Sequence, residues 1–257
     1  MIPYSIVISF VIAAVFTVVV PIVTLIALGV KRKISGLSLL FGAAAFFLSQ
    51  VVLRMPIMSM LSGQSWYQAF ASQFFLYVLF LSFSAGLFEE SARLGGALLL
   101  KKHRSYKDVI SFGFGHAFCE VIILVGIANI SNALLCLSIN SANGLSMPSS
   151  ERMETMLAWL TSTNTMDVYL GIMERFIAVI FHIFATVLVF IGVTKKKIHY
   201  YFLAILVHTL FNLSAVLLAQ VAGTVITEIV LLIVALTMGF YVLKHKDDFN
   251  TKQQVIS

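Results

Sequence analysis

Charge is scarce in this chain. Only 11% of its 257 residues are Asp, Glu, Lys or Arg, while 60% are hydrophobic; soluble domains carry roughly 25% charged residues. Mean hydropathy is +1.00, so water is not what surrounds most of the molecule. Cysteine is scarce as well. Cys119 and Cys136 are the only two and share one apolar segment, which excludes a disulfide framework and leaves both as packing residues. No basic region precedes the first apolar run, and that run, Ile6 to Val30, is too long for a signal core, so a cleavable signal peptide is not expected. There is no internal repeat and no linker, and the chain reads as one integral membrane domain over 1–257. The net charge of +6 does not indicate nucleic acid, because the basic residues lie between apolar runs, where they report orientation.

The apolar runs predict an all-α, polytopic bundle of about seven spans in the cell membrane. They cover about Ile6–Val30, Leu37–Leu53, Phe70–Leu100, Val109–Leu137, Val168–Val193, Ile198–Ala219 and Val221–Leu243, close to the roughly 17–25 residues a bilayer requires. Pro21 is expected to bend the first. With the N-terminus outside and the C-terminus cytoplasmic, the inner segments hold Lys31, Arg32 and Lys33; Lys101, Lys102, Arg104 and Lys107; Lys195, Lys196 and Lys197; and Lys244, Lys246 and Lys252. That is thirteen of the 17 Lys and Arg. Arg54 and Arg152 fall in outer loops, and Arg93 and Arg175 within spans. The outer segment Ser138–Asp167 carries Met153, Met156, Leu157 and Leu160 at helical spacing after Pro148, which predicts a short amphipathic helix at the surface, either a gate or a helix resting on headgroups.

Ionisable groups at bilayer depth are costly and mark functional sites. Glu89 and Glu90 lie eleven to twelve positions before Lys101, His116 nine after Lys107, His182 thirteen before Lys195, and His208 eleven after Lys197. At about 1.5 Å per residue, all five sit roughly 14–20 Å from the inner interface, the middle of a ~30 Å core. Their catalytic region spans about 70–219. Helical spacing supplies pairs: Glu89 with Arg93, His116 with Glu120, and His208 with Asn212 are each i,i+4, and Arg175 shares a face with His182. Glu90 is rotated about 100° from Glu89, so one acid can hold Arg93 while the other faces a substrate. Gly113 and Gly115 leave room for a neighbouring backbone or a substrate. Each feature has a plainer reading: lone span histidines pack by hydrogen bonding, Glu174 and Arg175 are structural, and Glu228 packs the last helix or meets outer water. Shared depth is what those readings do not absorb.

The segments Glu89-Glu90-Ser91-Ala92-Arg93, Gly113-Phe114-Gly115-His116 with Glu120, and His208-Thr209-Leu210-Phe211-Asn212 resemble the successive motifs of the CAAX-protease and bacteriocin-processing superfamily. Within it the chain most resembles the YhfC-type membrane peptidases, where Gly-His-x-x-x-Glu and a Glu-Arg…Phe-His segment recur, here Glu174-Arg175…Phe181-His182. Two residues, where the wider superfamily has three, separate Glu90 from Arg93, and His182 and Glu120 have no counterpart in the shortest family pattern.

The resemblance implies an intramembrane protease acting on a membrane-embedded or membrane-associated peptide or protein. Glu89 would be the general base, with His116 holding the water. His208 and Asn212 would be donors to the oxyanion, and Glu90 and Arg93 would fix Glu89. Glu120, His182 and Arg175 are additional candidates. A zinc version would use His116, His182, His208 and Glu120 as ligands. The sequence lacks a His-Glu-x-x-His helix, and the metal-free, glutamic reading with no cofactor is preferred. A proton- or cation-coupled transporter is the alternative outside enzymes, but neither the internal symmetry nor the broken helices of transporters are evident. An immunity protein that binds peptide without catalysis would have no need of a base.

Overall fold

The computed structural model describes residues 1–141 and 151–249, and only the backbone of 151–153. Pro148 and Lys252 therefore lie outside the described residues, as do the side chains of Arg152 and Met153. Among the described residues there are helices and no strand. Seven of the helices are long and apolar enough to cross a membrane: Tyr4–Val30, Gly36–Ser62, Phe74–Leu99, Tyr106–Ser141, Thr165–Thr194, His199–Ala222 and Thr224–Lys244. The molecule is a multi-pass membrane protein built as an all-α bundle. Large apolar side chains such as Ile26, Phe202, Leu206, Ile233 and Phe240 are exposed along the spans; in lipid this is the ordinary outer surface, because the surrounding hydrocarbon is as apolar as they are.

Three spans contain a wider π turn: Val15–Val19, Phe47–Arg54 and Val121–Gly126. The first has a cause in sequence. Pro21 has no N–H and its ring crowds the carbonyl four residues back, and just before it the Val20 N–H bonds to Val15 O, one residue further than an α-helix allows. Where a bend was expected, the chain widens a turn.

The second span is longer than the apolar run predicts, and Arg54 is the reason for the difference. Read as an outer-loop charge, Arg54 instead lies inside the helix, half-buried. Its guanidinium donates to Gln50 Oε1 at 3.1 Å, Ser84 Oγ at 3.1 Å and Leu81 O at 2.9 Å. A charge supplied with protein acceptors does not end a span. The third span begins at Phe74 rather than Phe70, because a separate short helix, Ser65–Ala71, precedes it. Buried Tyr67 on that helix meets the rings of Phe70, Tyr77 and Phe80.

The chain divides into two compact units, Met1–Ile26 with Val121–Phe176, and Ala27–Glu120 with Ile177–Ser257. In the first, Ile6, Val7, Phe10, Ala133, Cys136 and Leu160 form the core. Asn140 clamps the N-terminal residues by accepting from Ile2 N at 2.7 Å and donating to Ile2 O at 2.9 Å. The expected amphipathic helix is present as Glu151–Ser162, and its Leu160 is fully buried in that core.

In the second unit, the core runs through Phe112, Val187, Val189, Phe190 and Ile191. Backbones approach closely there. A Cβ on Gly42 would strike the Phe112 carbonyl, one on Gly115 would strike the Leu39 carbonyl, and one on Gly113 would sit 3.0 Å from Ile183 Cα. The room left by Gly113 and Gly115 is thus taken by neighbouring helices. Both the first and fifth spans end in a six-to-one and five-to-two hydrogen-bond pattern, with Arg32 and Lys196 at positive φ where glycine is usual. A cation at this position complements the carbonyl end of the helix.

Candidate active site

Small residues decide how the site is assembled. The third span buries Ser82, Ser84, Ala85 and Gly86, and a Cβ on Gly86 would lie 3.1 Å from Ile205 O and 3.3 Å from His208 Cβ. That face admits the sixth span at close range and sets His208 beside the two glutamates. Gly115 does the same between the second and fourth spans, setting His116 beside Gln50's helix. The His116 and His182 ring centroids are 5.0 Å apart, and those of His182 and His208 5.7 Å. Phe46 lies edge-on to His116, and Phe181 to both His182 and His208. Four spans bring Glu89, Glu90, Arg93, His116, Glu120, His182 and His208 together, and a fifth, the second span, adds Gln50.

The two glutamates have different surroundings. Glu89 Oε1 accepts from Gln50 Nε2 at 2.8 Å, while its Oε2 meets His116 Nε2 at 3.0 Å and lies 3.8 Å from His182 Nδ1 and 3.9 Å from His208 Nε2. Glu90 Oε1 accepts both from Arg93 and from His208 Nδ1, the latter at 2.8 Å. Of the two acids, either of which could hold Arg93, it is Glu90 that does so, at i,i+3. Both partners of that pair are fully buried, and the ion pair leaves Glu89 free of a direct cation.

Hydrogen-bond logic fixes the ring protons. Glu90, paired with Arg93, is an acceptor only, so His208 donates through Nδ1–H and its Nε2 carries a lone pair toward the cluster. Arg93 has donors only. His182 Nδ1, 3.2 Å from Arg93 Nη2, must accept, which leaves the ring proton on Nε2, 2.6 Å from Glu120 Oε2. Among the described residues, His116 Nδ1 is buried without a hydrogen-bond partner.

One atom each from Glu89, His116, Glu120 and His182 lies within 4.8 Å of the other three. Three of these side chains are buried, and Glu120's is 13% exposed. Two carboxylates held this close in a medium of low dielectric repel one another unless a cation or proton lies between them, and the orphaned His116 nitrogen adds an unsatisfied group. Two imidazoles and two carboxylates are a donor set that suits zinc. The residues fit a divalent ion. The group of donor atoms within 4.8 Å includes Glu89 and not His208; His208 lies beside it, bonded through Nδ1 to Glu90 with Nε2 3.9 Å from Glu89 Oε2.

The remaining predicted residues are less central. Asn212 is half-buried one turn beyond His208. Arg175 pairs with its chain neighbour Glu174. Glu228 is buried in the last span, in keeping with packing. Gln50 and Arg54 were missed. A lone amide inside an apolar run, four residues before an arginine, is the signal that could have found them.

A seven-span helical membrane protein with a buried Glu/His cluster, positioned to coordinate a metal or stabilise charge, is the class that fold and site define. A family model described as YhfC intramembrane metalloprotease matches residues 16–235, and the chain belongs to that family. The uncharacterized membrane protein YhfC of Bacillus subtilis (strain 168) is 28% identical over 180 residues, which cover 67% of this chain and 70% of that protein. No solved structure matches the chain. Cluster and family together support a peptidase-like function.

Proposed function

We propose that this chain is a metal-dependent intramembrane peptidase that hydrolyses peptide bonds of a membrane-embedded or membrane-associated peptide or protein. The observation that carries the reading is the set of donor atoms from Glu89, His116, Glu120 and His182 gathered within 4.8 Å at bilayer depth. These four would hold the ion, with zinc the best match to their chemistry. A divalent ion there supplies Lewis acidity, polarising the carbonyl to be cleaved and acidifying water beside it.

The chain's own residues supply the rest. Gln50 and Arg54 hold Glu89 from one side, so that its second oxygen stays turned to the histidines. Glu90 orients His208, whose free Nε2 accepts the proton of the attacking water and returns it to the amine nitrogen as the C–N bond breaks. Asn212, one turn on, is the candidate donor to the carbonyl oxygen as it gains charge. The metal-free route with Glu89 as base draws less support, because Glu89 sits within the donor cluster instead of standing apart from it.

The test is cleavage of single-span peptides by purified protein, together with its metal content. About one zinc per chain, and cleavage that chelator abolishes and zinc restores, is the expected result. Cleavage by metal-free protein that is indifferent to chelator would return the mechanism to the glutamate route.

A further inference from the structure

The first unit contains a cavity of about 380 Å³, in the size range of small-ligand sites. Its wall combines the rings of Phe10 and Trp159, the carboxamides of Asn129 and Asn132, the hydroxyl of Thr163 and the carboxylate of Asp167. Among the described residues, no Lys, Arg or His lines it. Asn129 is only 9% exposed, yet its side chain has no hydrogen-bond partner among the described residues, and neither has that of Asn132. Both carboxamides are therefore left free to hydrogen-bond whatever occupies the cavity. Asn129 and Asn132 are three residues apart on the fourth span and share a face.

The chemistry of the lining selects the ligand. Asp167 has no basic partner among the described residues, and an anion entering the cavity would meet its charge with nothing to offset it. Phe10 and Trp159 stand 6.1 Å apart with planes tilted by 33°, and aromatic faces attract cations, indole most strongly. Carboxamide and hydroxyl oxygens accept hydrogen bonds. A carboxylate, two rings and several neutral acceptors together suit an ammonium group. We propose that this cavity binds a primary ammonium group, carried either by a phosphatidylethanolamine headgroup or by a free amine. The site lies wholly in the first unit and does not rest on the peptidase reading.

Trp159 is one of two tryptophans, so a Trp66→Phe protein reports on the cavity by fluorescence. Purified in detergent and titrated with n-butylammonium, it should show a saturable change that n-butanol at the same concentration does not produce. Asp167→Asn should weaken binding about tenfold or more, and Asn129→Ala severalfold, with melting temperatures unchanged for the exposed Asp167 substitution. Saturation abolished in nanodiscs containing phosphatidylethanolamine, but kept in phosphatidylglycerol discs, assigns the headgroup as the source. Equal titration in both assigns a free amine. Equal responses to butanol and butylammonium, or an Asp167→Asn protein that binds as the parent does, would overturn the proposal.

Discussion

Gln50 and Glu89 lie on different spans, and one amide hydrogen bond of 2.8 Å joins them. Gln50 is itself held, since its carbonyl oxygen accepts from Arg54. The chain Arg54–Gln50–Glu89 fixes which Glu89 oxygen faces the histidines. Groups behind a metal ligand commonly set its affinity by 10- to 100-fold. Gln50→Leu should therefore weaken zinc binding by about that factor while the helical content is retained. An unchanged dissociation constant, read by competition with a calibrated chelator, would remove Gln50 from the site.

Ligands and proton carrier are separable by measuring metal and cleavage on the same variants. Glu89→Gln, His116→Ala and His182→Ala are expected to lose bound zinc and activity together. His208→Ala should keep zinc near the parent level and lose cleavage, because His208 lies outside the group of four donors within 4.8 Å. Loss of zinc in His208→Ala would instead make it a ligand.

Arg93 and Glu90 form an ion pair with both side chains fully buried. Removing one partner strands the other charge, at a cost of about 3–5 kcal/mol. Arg93→Ala should lower thermal stability sharply and displace His208. By contrast, Glu174 is 41% exposed in its pair with Arg175, and Glu174→Ala should cost no more than about 1 kcal/mol. Equal losses in the two thermal melts would contradict this contrast.

Gly115 lies against the Leu39 carbonyl, a backbone group that has no rotamer to yield. Gly115→Val should push the second and fourth spans apart, with an overpacking cost of about 1–3 kcal/mol or more, and should lower zinc affinity through His116 one residue on. Gly95, with nothing near its absent Cβ, is the control: Gly95→Ala should leave both stability and zinc binding intact.

Orientation is argued from charge. Thirteen of the 17 basic residues fall on one side if the N-terminus is outside, so a reporter fused after Ser257 should be active in the cytoplasm. Activity on the outer face would invert the assignment.

Apolar run length and the shared depth of five ionisable residues were legible in the sequence, because a bilayer imposes one dimension and helical rise converts residue number into depth along it. That sufficed for seven spans and for the level at which Glu89, Glu90, His116, His182 and His208 meet. It did not suffice for partners. Both Glu89 and Glu90 are within helical reach of Arg93, and the choice of Glu90 depends on where His208 and Gln50 approach from other helices. Arg54 looked like a span boundary, since a charge alone is expensive in lipid; only packing against Ser84 and Leu81 supplied the acceptors that keep it inside. Which four donors converge, with Glu89 among them, was decided by helix rotation and by backbone contacts at Gly42, Gly86 and Gly115. Depth is a property of one helix and can be counted; azimuth is a property of a pair and exists only once they pack.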